Sequence, residues 1–169
     1  DSILAQSCAP TEIIMIDDCS TDDTALIVQR YGSAVRYHRQ LNSGTSVARN
    51  TGVRLSQGNL LAFLDADDLW AEDKLEKQLA VLQNNPQVDL VWGNVIEFTG
   101  DVFNPEASTQ PTPGHHPGTM LIRRQAFEVI GEFSEDYQQG EVVEWMTRVL
   151  LSEVEQLMLR DVLMYRRIH

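Results

Sequence analysis

The sequence predicts a single α/β domain of 169 residues, in which a mixed, mainly parallel sheet lies between two layers of helices. Short apolar runs, such as residues 13–16 and 60–64, are bounded by turn residues and alternate with segments of helical periodicity. Continuous apolar runs are typical of strands that are buried on both faces. Acidic residues follow both runs, at the end of the strands where open α/β sheets bind ligands. The predicted class is therefore a three-layer α/β/α domain covering residues 1–169.

Composition and charge exclude several classes of protein. The net charge of −12 disfavours binding to nucleic acid or anionic membranes, because both require clustered Lys and Arg. No run approaches the roughly 18 apolar residues of a membrane span, and no signal peptide is evident, so we expect a cytoplasmic protein without a transmembrane segment. Cys8 and Cys19 lack the spacing of zinc ligands or of a disulfide framework, which predicts two buried, reduced thiols. The oligomeric state is left open.

Strands and helices alternate through the first half of the chain, as crossover connections between parallel strands require. Pro10 interrupts the chain before the first strand, Gly32 ends a short helix, and Gly58 precedes the central strand. In order, the predicted elements are the end of a helix at 1–6, a strand at 12–16, a helix at 25–31, a strand at 35–38, a helix at 47–55, the central strand at 60–64 and a helix at 69–82.

The second half begins with an apolar strand at 90–98, followed by a proline-rich stretch at 99–117 in which no regular element fits. Loops of this length are usually functional lids or disordered segments, and we expect this one to order over a bound ligand. His115 and His116 lie within it, and we expect them to be exposed to solvent rather than to bind a ligand. The remaining predicted elements are a strand at 119–122, helices at 124–130 and 141–151, and terminal strands at 156–159 and 162–165 that pair with each other.

Three acids follow the central strand within four positions: Asp65, Asp67 and Asp68. Carboxylates this close repel one another unless a cation lies between them, and Mg²⁺ or Mn²⁺ bound in this way usually shares its coordination with substrate phosphates. This pattern indicates a metal-bridged nucleotide. The same acids also fit a helix N-cap and first turn, where the helix dipole stabilises negative charge.

Three segments together resemble the family 2 inverting glycosyltransferases with the GT-A fold, which use nucleotide-diphosphate sugars. The segments are 13–24 (IIMIDDCSTDDT), 42–52 (NSGTSVARNTG) and 61–68 (LAFLDADD), of which the last is similar to the family's DxD metal motif. The resemblance continues through GTMLIRRQAFEVIGEF and closes with YRRIH at the end of the sequence. Each segment alone is weak, but their order and spacing are specific.

The resemblance implies roles for individual residues. Asp67 would ligate the metal directly, Asp65 would contact the ribose or help to position the metal, and His169 would be a further ligand, as in some members. Asp18 would accept a hydrogen bond from the base. The implied nucleotide-binding set is Asp17, Asp18, Ser20, Arg49, Asp65 and Asp67.

Structural alternatives exist for several of these residues. Asp18 and its neighbours could be helix caps. Arg49 could form a surface salt bridge of little energetic weight. His169 could belong to a frayed chain end.

The sequence departs from the family pattern in two places. The family's first strand, which forms the centre of the sheet and one wall of the base pocket, has no counterpart here, and its absence would expose two sheet edges. Val142 also stands where the family has the Asp that deprotonates the acceptor, and valine cannot accept a proton. Candidate substitutes for this base are Glu141, Glu144 and Asp136, although acids at a helix start are also stabilised by the helix dipole.

The sequence therefore predicts a metal-dependent glycosyltransferase that moves a sugar, with inversion, from a nucleotide-diphosphate donor such as a UDP-sugar to an unknown glycan, lipid or protein acceptor. The expected cofactor is Mn²⁺ or Mg²⁺. The alternative is a catalytically silent nucleotide-sugar-binding module that has lost its base at Val142. A nucleotidyl transferase is a weaker possibility, because such enzymes usually begin with a Gly-rich basic loop.

Overall fold

The computed structural model of the chain describes residues 1–100, 102–104, 109–137 and 140–169. Two short 3-10 turns, Gly32–Ala34 and Pro117–Thr119, supplement the regular elements. In chain order the helices and strands are β1 (Ile14–Asp17), α1 (Thr24–Gln29), β2 (Arg36–Arg39), α2 (Thr45–Leu55), β3 (Leu60–Leu61), β4 (Leu69–Trp70), α3 (Lys74–Asn84), β5 (Leu90–Phe98), β6 (Thr112–Gly114), β7 (Leu121–Arg123), α4 (Arg124–Ile130), α5 (Glu141–Leu151) and β8 (Gln156–Arg167).

The strands form two sheets. β1 and β2 pair in parallel, and the larger sheet has the order β3-β7-β5-β8-β4, with β6 on β5. Within the described residues, β5 and β8 are the parallel pair of the larger sheet and its other pairs are antiparallel. The prediction of a mixed sheet is confirmed, and the pairing that joins the most residues, that of β5 with β8, is parallel. β5 reaches β7 without an intervening α-helix, and parallel neighbours usually need a helical crossover.

Helices cover both faces of the larger sheet, as the prediction of three layers requires. Leu90 of β5 and Ile122 of β7 lie in one core cluster, while Val91 and Leu121, one position along, lie in a second. Successive strand residues face opposite sides, so these clusters occupy the two faces. The first is completed by Val53, Leu61, Trp92, Met120, Ala126, Phe127, Ile130, Phe133, Trp145 and Val149. The second also contains Trp70, Leu75, Leu82 and Val88.

An apolar cavity of about 1090 Å³ is lined by both β1 and β3. Each of these strands has a partner on one side only among the described residues, β2 for β1 and β7 for β3. Ile14, Ile16 and Leu60 line the cavity and are partly exposed, although their apolar runs predict burial on both faces. The resemblance puts the family's first strand at the centre of the sheet.

Several element boundaries differ from the sequence predictions. The central strand is limited to Leu60–Leu61, and the helix expected from residue 69 begins at Lys74, because Leu69–Trp70 pairs with β8. The two terminal strands are one strand, β8, whose pairing with β5 is irregular around Asn94. By contrast, the bounds of β5, α4 and α5 agree with the predictions.

The proline-rich stretch is also partly regular, which the sequence did not predict. Residues 101 and 105–108 lie outside the described part, so the expected lid is described only in part. Thr112–Gly114 forms β6 on β5, and a 3-10 turn follows. Cys8 and Cys19 are free, as expected, but are partly exposed rather than buried. No helix among the described residues is long and apolar enough to cross a membrane.

A buried lysine joins α3 to the segment before β7. The Lys74 side chain is fully buried, and its Nζ donates to Gln78 Oε1 at 2.7 Å and to the Met120 carbonyl at 3.1 Å. Gln78 Nε2 in turn donates to the carbonyls of Val91 and Thr119, both at 2.8 Å. Because no acid accompanies Lys74 in these contacts, burial lowers its pKa to about 7.

Because the pKa of Lys74 is lowered in the folded protein, we expect the free energy of unfolding to depend on pH. Between about pH 7 and 10 the unfolded chain holds a proton on Lys74 that the folded chain has lost, so the free energy of unfolding should rise with pH, by at most about 1.4 kcal/mol per pH unit. Urea unfolding of wild type and Lys74→Met across this range measures the effect. The variant should lack this rise. Parallel pH profiles for the two proteins would contradict the prediction.

Candidate functional site

The chain leaving β3 carries the acidic cluster, and each acid has a different environment. Asp65 accepts two hydrogen bonds from Arg49 Nη2, at 3.0 and 2.9 Å. Asp67 Oδ2 lies 2.9 Å from Nε2 of His169, and both side chains are substantially exposed. The segment after these acids forms β4 and not a helix, so the acids are not helix caps.

Asp68 is the buried member of the cluster. Its Oδ1 accepts a hydrogen bond from the backbone N–H of Arg167 at 2.9 Å, which ties the acidic loop to the end of β8. Burial, reinforced by the negative charges of Asp67 and Asp65, raises the pKa of Asp68 to about 6, although the Arg167 hydrogen bond opposes the rise. A cation between these acids would relieve their repulsion.

Arg49, on α2, connects the acidic cluster to α5. Its side chain is 8% exposed, and Nη1 lies 3.2 Å from Glu141 Oε1 while Nη2 binds Asp65. The guanidinium carbon also lies 5.6 Å from the centre of the Phe133 ring, within range of a cation–π contact. The sequence left open a surface salt bridge at Arg49, but the structure shows a largely buried bridge between two carboxylates.

A second acid, Asp18, follows β1. Its carboxylate accepts hydrogen bonds from Gln40 Nε2 at 2.9 Å and from the backbone N–H groups of Ser43 and Gly44 at 2.9 and 2.8 Å. Partial burial would raise the pKa of Asp18, but these hydrogen bonds outweigh it and hold the pKa below its usual range. Cys19 follows with a φ of 71°, an uncommon conformation for a residue other than glycine.

Asp17 and Ser20 contribute to the fold of the same turn. The Asp17 side chain is 1% exposed and accepts hydrogen bonds from the Ser20 N–H and the Tyr37 hydroxyl, which lower its pKa. Arg39 donates to the Ser20 carbonyl at 2.9 Å. A nucleotide could reach Asp17 only if these contacts changed.

Acids that follow β1 and β3 line the cavity described above. Its lining includes Asp18, Arg49, Asp65, Asp67 and Asp68. That these acids act together on one ligand stays a prediction. The Arg49 bridge does not close the site, because Asp67 retains 46% exposure.

The three candidate bases have different surroundings. Glu141 begins α5 and is 16% exposed, in contact with Arg49. Glu144 binds Arg148 of the same helix with both oxygens, at 2.7 and 2.8 Å, in an i, i+4 pair. Asp136 is exposed, and its one described contact is from its backbone N–H to Ser134. Val142 lies next to Glu141 and is partly exposed.

The sequence missed His116. The expectation that both histidines are exposed holds for His115, whose ring lies against Trp92 with centroids 5.5 Å apart, but it is wrong for His116. His116 is partly buried, and its Nε2 lies 3.9 Å from Asp65 Oδ2. Burial lowers its pKa. The pairing of β6 with β5 brings His116 next to Asp65, and no residue pattern in the sequence predicts that pairing.

Two sets of atoms could hold a cation. Oxygens of Asp65 and Asp68 and a ring nitrogen of His116 lie within 4.8 Å of one another, and Asp67 with His169 forms a second, more exposed pair. Carboxylate oxygens suit Mg²⁺ and Mn²⁺, and imidazole suits softer divalent ions. The donor set therefore fits the expected metals.

The family is decided by sequence comparison. The model of "Glycosyl transferase family 2" matches residues 1–136. The chain belongs to glycosyl transferase family 2. TuaG of Bacillus subtilis (strain 168), which is provisionally named a teichuronic acid biosynthesis glycosyltransferase, is 50% identical over 82 residues, or 46% of this chain and 32% of the relative. A PGL/p-HBAD biosynthesis glycosyltransferase of Mycobacterium bovis (strain BCG / Pasteur 1173P2) is 38% identical over 101 residues, or 57% of this chain and 40% of the relative.

Solved structures confirm the GT-A fold. S. aureus TarS 1-349 in complex with UDP-GlcNAc matches with a TM-score of 0.83 at 20% identity, covering 99% of this chain and 53% of that protein. The mannosyltransferase PcManGT of Pyrobaculum calidifontis, in complex with GDP-Man and Mn²⁺, matches with a TM-score of 0.71 at 21% identity, covering 97% and 50%. The matched parts of the curated relatives are less than half of their length, and those of the structures about half.

The Arg49 bridge leads to a prediction about stability. Arg49→Met leaves Asp65 and Glu141 near each other without their cation, so we expect a loss of about 2 kcal/mol in the free energy of unfolding. Arg54→Met, on the same helix, is the matched control, because Arg54 is half exposed in its pair with Glu132 and should change stability by less than about 0.5 kcal/mol. Denaturant unfolding measures both, and equal losses would contradict a special role for Arg49.

Proposed function

We propose that this domain transfers a sugar from a nucleotide-diphosphate donor, such as a UDP-sugar, to a hydroxyl of a glycan, lipid or protein acceptor, with inversion and with Mn²⁺ or Mg²⁺. The observation that carries the proposal is that Asp18, Asp65, Asp67 and Asp68 line one cavity. The family and the relatives, which are named glycosyltransferases, support it. Among the structural neighbours, TarS was solved in complex with UDP-GlcNAc and PcManGT with GDP-Man and Mn²⁺.

The proposed roles follow the positions of the side chains. Asp67 and His169 hold the divalent ion, which supplies the positive charge that stabilises a leaving diphosphate. Asp65, positioned by Arg49, faces the ribose or the ion. Asp18 accepts a hydrogen bond from the base, since its carboxylate is kept ionised and fixed by the N–H groups of the 43–44 turn.

Glu141 is the proposed general base. It lies at the start of α5 beside Val142, and its contact with Arg49 couples it to the acid cluster. In the proposed displacement, Glu141 takes the proton of the acceptor hydroxyl as that oxygen bonds to the anomeric carbon, while the bond from this carbon to the diphosphate oxygen breaks. Glu144 is a weaker candidate because Arg148 engages both of its oxygens, whereas Arg49 contacts Glu141 through Oε1. Asp136 is weaker because it lies exposed on the loop before α5.

The first prediction concerns donor binding. UDP should bind in the presence of Mn²⁺, and Asp67→Asn should weaken this binding at least about tenfold, because the variant loses a charged ligand of the ion. Asp73→Asn is the matched control, since Asp73 is equally exposed at 46% but pairs with Lys77. Isothermal titration calorimetry with and without Mn²⁺ measures both. A UDP affinity that is the same with and without Mn²⁺ and the same in Asp67→Asn would contradict the proposed metal site.

The second prediction separates the enzyme from the silent binding module. Release of UDP from UDP-sugars should fall about a hundredfold or more in Glu141→Gln, with UDP affinity retained, because the amide cannot accept the proton. Glu144→Gln is the control and should change the rate little. Tight donor binding by wild type without any turnover, followed by turnover in Val142→Asp, would instead establish the silent module.

A further inference from the structure

The hydrogen bonding of His116 defines which of its ring nitrogens carries a proton. Nδ1 lies 3.1 Å from the backbone nitrogen of Gly118 and accepts its hydrogen bond. A backbone N–H can only donate, so Nδ1 must hold a free lone pair. A neutral imidazole has one N–H, and in His116 this hydrogen is therefore on Nε2.

This tautomer has a consequence for metal binding. A ring nitrogen that ligates a metal uses its lone pair, but Nε2 of His116 carries the hydrogen and its lone pair belongs to the ring. His116 could ligate an ion through Nε2 only by giving up the hydrogen bond from Gly118. Asp65, Asp68 and His116 lie close together. The two carboxylates can still ligate a cation, whereas the Nε2–H of His116 can donate a hydrogen bond to an acceptor atom.

The N–H of His116 lacks an acceptor in the described residues. Its nearest ion-pair partner, Asp65 Oδ2, is 3.9 Å away, which is longer than a hydrogen bond. The Asp65 carboxylate already receives two hydrogen bonds from Arg49. A donor that is partly buried beside the proposed metal site is therefore available to a ligand oxygen.

The surrounding structure holds His116 in this orientation. Trp70 Nε1 donates to the Gly118 carbonyl at 2.8 Å. Thr119 donates its N–H to the His116 carbonyl at 2.9 Å and its hydroxyl to the Gly114 carbonyl at 2.5 Å. A Cβ on Gly118 would lie 2.5 Å from Met164 Sδ and 3.2 Å from His116 Nδ1, so glycine allows the close approach. Through the Thr119 carbonyl, the Gln78 and Lys74 network supports the same segment.

We propose that His116 donates its Nε2–H to a phosphate oxygen of the bound nucleotide diphosphate and is not a metal ligand. This inference rests on the proposed function. A diphosphate near Asp65 and Asp68 needs donors as well as the ion, and the Nη atoms of Arg49 are directed to Asp65 and Glu141. A neutral N–H provides a hydrogen bond without competing with the acids for the cation.

The test measures UDP and Mn²⁺ binding separately. With saturating Mn²⁺, His116→Ala should weaken UDP binding about tenfold or more, the usual value for a lost hydrogen bond to a charged group. His116→Gln, which keeps an N–H donor, should recover part of the loss. Binding of Mn²⁺ alone, followed by electron paramagnetic resonance of the free ion, should be unchanged in both variants. His115→Ala is the matched control, because its exposed ring contacts Trp92, and it should bind UDP like wild type.

The outcomes separate the two proposals. If wild type does not bind UDP with Mn²⁺, the proposed function fails. If wild type binds UDP but His116→Ala binds it equally well, or if the His116 variants lose Mn²⁺ affinity in the absence of UDP, the proposed role of His116 is overturned. Weaker binding of a UDP-sugar with unchanged binding of UDP would also overturn it, by assigning the donor to the sugar. Thermal unfolding of each variant establishes that the binding change occurs in a folded protein.

Discussion

The arrangement of the site depends on one largely buried guanidinium. Arg49 extends from α2 to Asp65 after β3 and to Glu141 at the start of α5, so a single side chain connects three elements that are distant in sequence. Its neighbour Asn50, fully buried, exchanges hydrogen bonds with the backbone of Phe133 at 2.8 and 3.0 Å and joins α2 to the segment that leads to α5. Breaking a pair of this kind leaves poorly solvated carboxylates, which is why such contacts are costly to lose.

The same bridge organises the charges around the cavity. Asp65 is compensated by Arg49, whereas, among the described residues, Asp67 lies beside His169 and Asp68 accepts a hydrogen bond from a backbone N–H. The Asp67 side chain is 46% exposed, compared with 34% for Asp65, and Asp68 is buried. Asp67 is therefore the acid of the three that is most accessible to a cation. His116 completes the surroundings with a neutral donor whose position depends on Gly118 and on the buried Lys74 and Gln78 network.

The sequence predicted the bounds of helices and strands well where local residue patterns fix them. It predicted them poorly where pairing with a distant strand fixes them. β5, α4 and α5 have the predicted bounds, because apolar runs, caps and helical periodicity mark their ends. Leu69–Trp70 was predicted to be helical, but it pairs with β8 nearly a hundred positions away, and local propensity gives way to that pairing. The antiparallel pairing of β7 with β5 has a related cause, since a chain that returns without a helix runs antiparallel.

The order of the motifs was enough to identify the family. It also placed Asp18, Asp65 and Asp67 after apolar strands. Apolar runs and the residues that follow them are local properties of a chain, so the sequence shows both directly. The partners of these acids could not be read in the same way. The contacts of Arg49 with Glu141, of Asp67 with His169 and of His116 with Gly118 and Asp65 arise from packing. Ion pairs and hydrogen bonds depend on distances in space and not on positions in the sequence. Only the tertiary structure, which brings these groups within a few ångströms of one another, decided these contacts.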